Sequence, residues 1–165
     1  MLADHQVGWV LVAYPDERFG SRLRAGRDSN WSDARTTSME PGQPVLFLQL
    51  GPPSPRWAGV GRIVGVQERW RMFGVVVRCL ERFAPPLPAV PGRSPRATAA
   101  ARSLADELDN APVWENRTLA EVLGLHRSPY RTPYLGEGRV VRVTAGDLSL
   151  VRRLQPALAR VWPER

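Results

Sequence analysis

Trp31 lies in the polar run Asp28-Ser-Asn-Trp-Ser-Asp-Ala-Arg35, where no apolar neighbour accounts for so large an aromatic side chain. An indole in that company points to a binding surface, because a flat aromatic face stacks on planar ligands such as nucleobases. Apolar runs that read as strands flank it, Trp9–Tyr14 and Pro44–Leu50, which puts Trp31 in a connection carried by a sheet. Binding residues concentrate in such connections. The competing reading makes Trp31 a cover over the open end of a small barrel. Other chemistry is sparse. Cys79 is the single cysteine and sits in the apolar run Phe73–Leu80, so it forms no internal disulfide or thiolate cluster and reads as a buried strand residue. His5 and His126 have no carboxylate or cysteine at ligand spacing, so neither a metal nor any other cofactor is expected. Gly59-Val-Gly61 lacks the third glycine of a dinucleotide loop and the Gly-Lys-Ser/Thr ending of a phosphate loop, leaving strand curvature as its explanation.

Charge narrows the partner. The chain has 23 basic and 16 acidic residues, a net charge of +7, and every basic residue is arginine. Guanidinium groups chelate phosphate bidentately and stack on bases, so an arginine-rich chain with six tryptophans fits nucleic acid, although a spread excess of this size also serves solubility alone. No basic and apolar leader opens the sequence, and no apolar stretch approaches the about 20 residues that span a bilayer, so no membrane partner and a cytoplasmic location are expected.

The elements that must position these residues read as follows. The 165 residues suit one domain with its own core. Trp9–Tyr14 is a first strand stopped by Pro15-Asp16, and Asp16–Arg27 is charged with room for a short helix. Met39-Glu-Pro-Gly-Gln43 is a turn leading into a strand over Val45–Leu50. Strands follow at Trp57–Val66 and Phe73–Leu80, and Phe83–Pro95 reads as a proline-rich surface connection. Helices are expected at Thr98–Leu108 and Leu119–Leu125, a last strand at Arg139–Thr144, and a closing helix from about Ala145 to Ala159 with Thr144 or Asp147 at its start. The expected class is α+β, a small mixed β-barrel with helices packed outside. Trp9 reads as core, Trp57 as a barrel-end cover, and Trp114 and Trp162 as packing for the late helices.

The order of these segments resembles the EVE family of the PUA-like superfamily, which also contains the YTH domains. Trp9-Val-Leu-Val-Ala-Tyr-Pro-Asp-Glu17 resembles the family's opening strand and turn, and Trp31-Ser-Asp-Ala-Arg35 its Trp-Asp-Gly-Val-Arg segment and the Trp-Ser of YTH domains. Pro41-Gly-Gln-Pro-Val-Leu-Phe47 is similar to the family's Val-Gly-Asp-Leu-Val-Phe-Phe, Ala58–Val64 to its Ile-Val-Gly-Ile-Ala-Arg-Val, and Arg139–Leu158 to its closing strand and helix. The likeness covers roughly the first 85 residues and the last 27; residues 85–138 form a longer, unfamiliar excursion within a single domain spanning 1–165.

The resemblance implies a PUA-like barrel that reads a modified base, flipped from its stack and held in an aromatic cage, and that does no catalysis. It implies Trp31 as one cage wall and Trp70, in Glu68-Arg-Trp-Arg-Met-Phe73, as the second, with surface cover as the rival role for Trp70. Ala13 and Tyr14 replace the family's Ser and Glu at the end of the first strand, which alters the contacts supplied there; backbone amides at these two positions, together with Asp16, Ser32 and Asp33, complete the base-binding set. Asp16 is equally a turn or cap residue. Phosphate contacts fall to Arg35, Arg56, Arg69 and Arg71, then Arg127 and Arg131, the last pair in the aromatic and proline-rich His126–Tyr134 segment. The expected partner is nucleic acid carrying a methylated or hydroxymethylated base, with DNA favoured over RNA. The module would target a modification-dependent restriction system, with a fused or associated nuclease. Two rivals remain at this point: an RNA-binding PUA-like module that reads shape, and a small nucleotide-acting enzyme.

Overall fold

The computed structural model describes residues 6–13, 23–31, 39–49, 55–69, 72–89 and 140–160. Six strands, β1 (Gln6–Ala13), β2 (Asp28–Trp31), β3 (Pro44–Gln49), β4 (Arg56–Arg69), β5 (Met72–Pro88) and β6 (Val140–Thr144), form one mixed sheet in the order β2-β5-β4-β3-β1-β6. β1 and β3 run parallel, while the other neighbours are antiparallel. A helix, α1 (Ala145–Leu154), and a 3-10 helix (Pro156–Arg160) follow.

Alternation in the apolar strands gives the sheet two buried faces. Val10, Val12, Leu46, Leu48, Trp57, Val60, Val141 and Val143 pack beneath Leu150, Val151, Leu154 and Leu158. Their alternate neighbours Trp9, Leu11, Ala13, Val45, Phe47, Ile63, Val75, Val77 and Cys79 fill the other, concave face with Leu23, Trp31 and Met39. Cys79 and Trp9 are core residues as expected, and burial pushes the Cys79 thiol above its ordinary pKa, which keeps it protonated.

Glycines and bulges bend the sheet. A Cβ on Gly59 would lie 2.5 Å from the Glu81 carbonyl oxygen, and one on Gly61 would lie 2.6 Å from the Arg78 carbonyl oxygen and 2.9 Å from the Phe47 ring. These two positions let β5 and Phe47 close onto β4, and three register shifts between β4 and β5 add curvature. The curl does not complete the expected barrel: β2 and β6 are the sheet's edges and do not pair with each other among the described residues. Among the described residues β2 pairs only with β5 and β6 only with β1, so the edge each turns to the other is unpaired there.

Other expectations are corrected in the same way. Asp28–Trp31 is a strand rather than a connection, because β5 supplies partners from Val75 to Arg78 and the Arg78 guanidinium grips Asp28 through Nε at 2.8 Å and Nη2 at 3.3 Å. β5 runs through the prolines to Pro88, with Phe83 and Ala89 buried, so the surface connection does not begin at Phe83. There β2 has ended, so the prolines fall where β5 has β4 alone as a described neighbour and an N–H toward the other side is not required. Trp57 is fully buried beneath the helix layer rather than capping an end. The closing helix stops at Leu154: Gln155, held at φ −132° and ψ 89°, precedes Pro156, whose ring disfavours helical backbone in the residue before it. The expected helices at Thr98–Leu108 and Leu119–Leu125, Trp114 and Trp162, and most of the charged Asp16–Arg27 segment lie outside the described residues.

At the start of α1, both proposed capping residues act. Thr144 Oγ1 accepts from the Asp147 N–H at 3.1 Å, and Asp147 Oδ2 accepts from the Thr144 N–H at 3.0 Å, a capping box that also satisfies the buried Asp147 carboxylate. Thr144→Ala should therefore lower stability by about 1–2 kcal/mol in a urea titration, with the slope of the transition unchanged.

Candidate functional site

Trp31 ends β2 on the concave face and is 2% exposed. Its neighbourhood is built from the strand outward. Ser29 and Trp31, two residues apart, point to the same face, opposite Val77 and Val75 of β5. Ser29 Oγ donates to the Val77 carbonyl at 3.4 Å and accepts from Trp31 Nε1 at 2.9 Å, so the indole folds back along its own strand. The ring meets Phe47 with centroids 6.1 Å apart at 31°, and Phe47 itself lies over Gly61. In a flat sheet β2 and β3 would stand about 14 Å apart, three strand spacings. The curl is what lets an edge-strand tryptophan reach the middle of the sheet.

Ser29 and Phe47 are thus the residues that set the pose of Trp31, and neither was among the expected site residues. The signal for Ser29 existed as a Ser-x-Trp spacing, but it carries meaning only once Asp28–Trp31 is known to be extended. Ser29→Ala removes the acceptor at 2.9 Å from the indole N–H and should cost about 1 kcal/mol of stability, with a shift in tryptophan emission.

Two turns frame this face. Gly26, at φ 82°, donates to the Cys79 carbonyl at 2.7 Å, and Cys79 donates to the Arg27 carbonyl at 3.0 Å, which seats the segment before β2 on β5. Gly42, at φ 93°, donates to the Ile63 carbonyl at 2.8 Å, as the expected turn before β3 requires. Gln43 Oε1 accepts from Trp9 Nε1 at 2.7 Å and from the Glu40 N–H at 2.9 Å, holding that turn against the core.

The expected site residues divide into separate groups. Ala13 is buried in the same concave core as Trp31, and register places it in the row Ala13, Gln49, Arg56, Pro88 at one end of the sheet. Trp31 belongs to the row Trp31, Val75, Val66, ten residues further along β4, and the curl of the sheet keeps both rows in one buried cluster. Arg56 begins β4 and Arg69 ends it. Tyr14, Asp16, Ser32, Asp33, Arg35, Trp70, Arg71, Arg127 and Arg131 lie outside the described residues. Among the described residues no cluster of histidine, cysteine, aspartate and glutamate could hold a metal ion, and no helix is long and apolar enough to cross a membrane.

At 2% exposure Trp31 has the burial of a core residue, not of an open loop aromatic. A base that stacks on it must take the place of packing present in the free protein.

No family model matches the chain, and no curated protein matches it in sequence. Its fold, however, is that of several solved structures. The crystal structure of human THYN1 protein in complex with DNA containing 5-methylcytosine matches at a TM-score of 0.53 and 12% identity, covering 89% of this chain and 96% of that one. The DUF55 domain of human thymocyte nuclear protein 1 matches at 0.52 and 12%, covering 89% and 97%. A Pseudomonas putida protein matches at 0.53 and 18%, covering 88% and 97%. At these identities the likeness is one of fold.

Proposed function

We propose that this chain is a non-catalytic DNA-binding module that recognises a modified base, with 5-methylcytosine the first candidate. The observation that carries the reading is the fold shared over 89% of the chain with a protein solved on DNA containing 5-methylcytosine. The EVE-like order of motifs, carried by β1, β3, β4, β6 and α1, and a net charge of +7 point the same way. In this reading residues 1–165 act as one PUA-like domain. The base leaves its stack and packs against Trp31, whose pose Ser29 and Phe47 hold, while Ala13, Tyr14, Asp16, Ser32, Asp33 and Trp70 complete the pocket. Unstacking a base costs a few kcal/mol, and stacking on an aromatic side chain returns about 1–3 kcal/mol, so edge hydrogen bonds must supply the rest. Arginines supply salt-dependent affinity for the phosphates, which carries no base preference. A cytoplasmic role as the targeting module of a modification-dependent restriction system, with a fused or associated nuclease, completes the proposal.

The test is a binding screen at one stated salt concentration. Short duplexes carry a single 5-methylcytosine, 5-hydroxymethylcytosine or N6-methyladenine, beside the unmodified duplex and a structured RNA. Preference for one modified duplex is the expected result. Equal affinity for all the duplexes would overturn the reading, and tightest binding to the RNA would replace it with a shape-reading RNA module.

A further inference from the structure

Arg24 and Arg27 close one tight turn ahead of β2. The Arg27 N–H donates to the Arg24 carbonyl at 2.9 Å, with Ala25 and Gly26 between them and Gly26 at φ 82°. The two arginines therefore hold the first and last positions of a β-turn, which keeps their Cα atoms within about 7 Å of each other. The turn is fixed at both ends. Leu23 before it and Trp31 after it are buried in the same concave core, and the Gly26 and Cys79 backbone bonds seat it on β5. Both arginines are exposed, and among the described residues neither side chain has a hydrogen bond or ion pair. The nearby acids do not neutralise them. Both oxygens of Asp28 are held by Arg78, and along β5 Glu81 stands beside Arg82, one charge of each sign. Segments 24–28 and 78–82, which lie side by side, thus hold four arginines against two carboxylates.

We infer that this turn clamps the phosphate backbone of duplex DNA beside the base held at Trp31. The inference rests on the proposed base-reading function and adds the contact that seats the duplex around that base. Neither arginine is among the phosphate contacts expected from the sequence. Charge supports the clamp first. Two guanidinium groups rooted this close repel each other, and the turn's hydrogen bond prevents their roots from separating, so an anion lying across both is what relieves the repulsion. Phosphates on one strand of a duplex follow every 3.4 Å along the axis, and each guanidinium chelates a phosphate through two N–H groups, so successive phosphates match a pair of arginines on one turn. Position supports it too. Four residues at about 3.3 Å each separate Arg27 from Trp31, which makes about 13 Å, or about four nucleotide steps on one strand. The same short strand therefore carries the base contact at one end and the phosphate contact at the other.

Arg24→Gln combined with Arg27→Gln tests this. Beside it stand Arg24→Lys with Arg27→Lys, which keeps the charge, and Arg153→Gln, which removes one exposed charge from α1 on the opposite side of the sheet. Affinity for a duplex with and without 5-methylcytosine is titrated between about 50 and 200 mM salt. The clamp predicts that the slope of log affinity against log salt becomes shallower by about 2 in the glutamine pair, close to 1 per arginine, and keeps its parental value in the lysine pair and in Arg153→Gln. Affinities for the two duplexes should fall together in the glutamine pair, because phosphate contacts carry no base preference. An unchanged slope in the glutamine pair, or an equal change per charge in Arg153→Gln, overturns the inference. Absence of methyl preference in the parent chain, with the slope still shallower in the glutamine pair, would instead overturn the base-reading function and leave the clamp standing.

Discussion

Trp31→Phe should leave a folded protein whose preference for methylated over unmethylated duplex is about 5- to 10-fold weaker than that of the parent chain. The size follows from what is lost: part of a stacking surface worth about 1–3 kcal/mol per base in full, plus the bond from Nε1 to Ser29. Phenylalanine is the informative replacement because Trp31 is 2% exposed and packs on Phe47. Alanine there would open a cavity costing about 3–5 kcal/mol, and weakened binding would then report unfolding as readily as a lost contact. Competition binding between the two duplexes, with melting temperature recorded in parallel, separates these effects. An unchanged methylated-to-unmethylated ratio in a stable Trp31→Phe protein would return the residue to a purely structural role and move the pocket elsewhere on the concave face.

Gly59→Ala should cost stability out of proportion to a single added methyl group. Its Cβ would sit 2.5 Å from the Glu81 carbonyl oxygen, inside any tolerated contact, and the obstacle is backbone rather than a flexible side chain. β4 and β5 would have to separate at the centre of the sheet, and a loss of about 2–4 kcal/mol in a urea titration is expected, at the upper range of overpacking costs. Gly65→Ala is the control on the same strand. A Cβ there meets nothing within 4 Å, so stability should change by less than about 0.5 kcal/mol or rise slightly as the unfolded chain loses freedom. Similar losses at both positions would mean that glycine serves strand flexibility in general rather than close strand approach at Gly59.

The strands that positioned the concave face were legible wherever the local pattern was strong. The apolar runs of β1, β3, the middle of β4 and β6 appear within a residue or two of their expected bounds at most ends, and the spacing of Leu148, Val151, Leu154 and Leu158 marked the buried side of α1 and of the 3-10 helix after it. Thr144 and Asp147 were legible because a capping box is contained within four consecutive residues. β2 was not. Asp-Ser-Asn-Trp has no strand-like alternation, and what makes it a strand is β5, more than forty residues further along, together with the grip of Arg78 on Asp28. Nor was the length of β5, since prolines argue against a strand until the sheet order shows that β2 has already ended beside them.

Trp31 shows where the division falls. The sequence by itself determined that an aromatic stands in a polar segment between two strands, on a basic chain whose motifs follow the EVE order, because residue type and spacing are local and survive without a fold. Only the tertiary structure decided that this segment pairs with β5, that curvature through Gly59 and Gly61 brings the ring onto Phe47, and that Arg56 and Arg69 stand at opposite ends of one strand. Those outcomes depend on pairing and bending between residues distant in the chain. A local pattern does not encode them, because the free energy that selects them comes from surfaces that meet only after the sheet has formed.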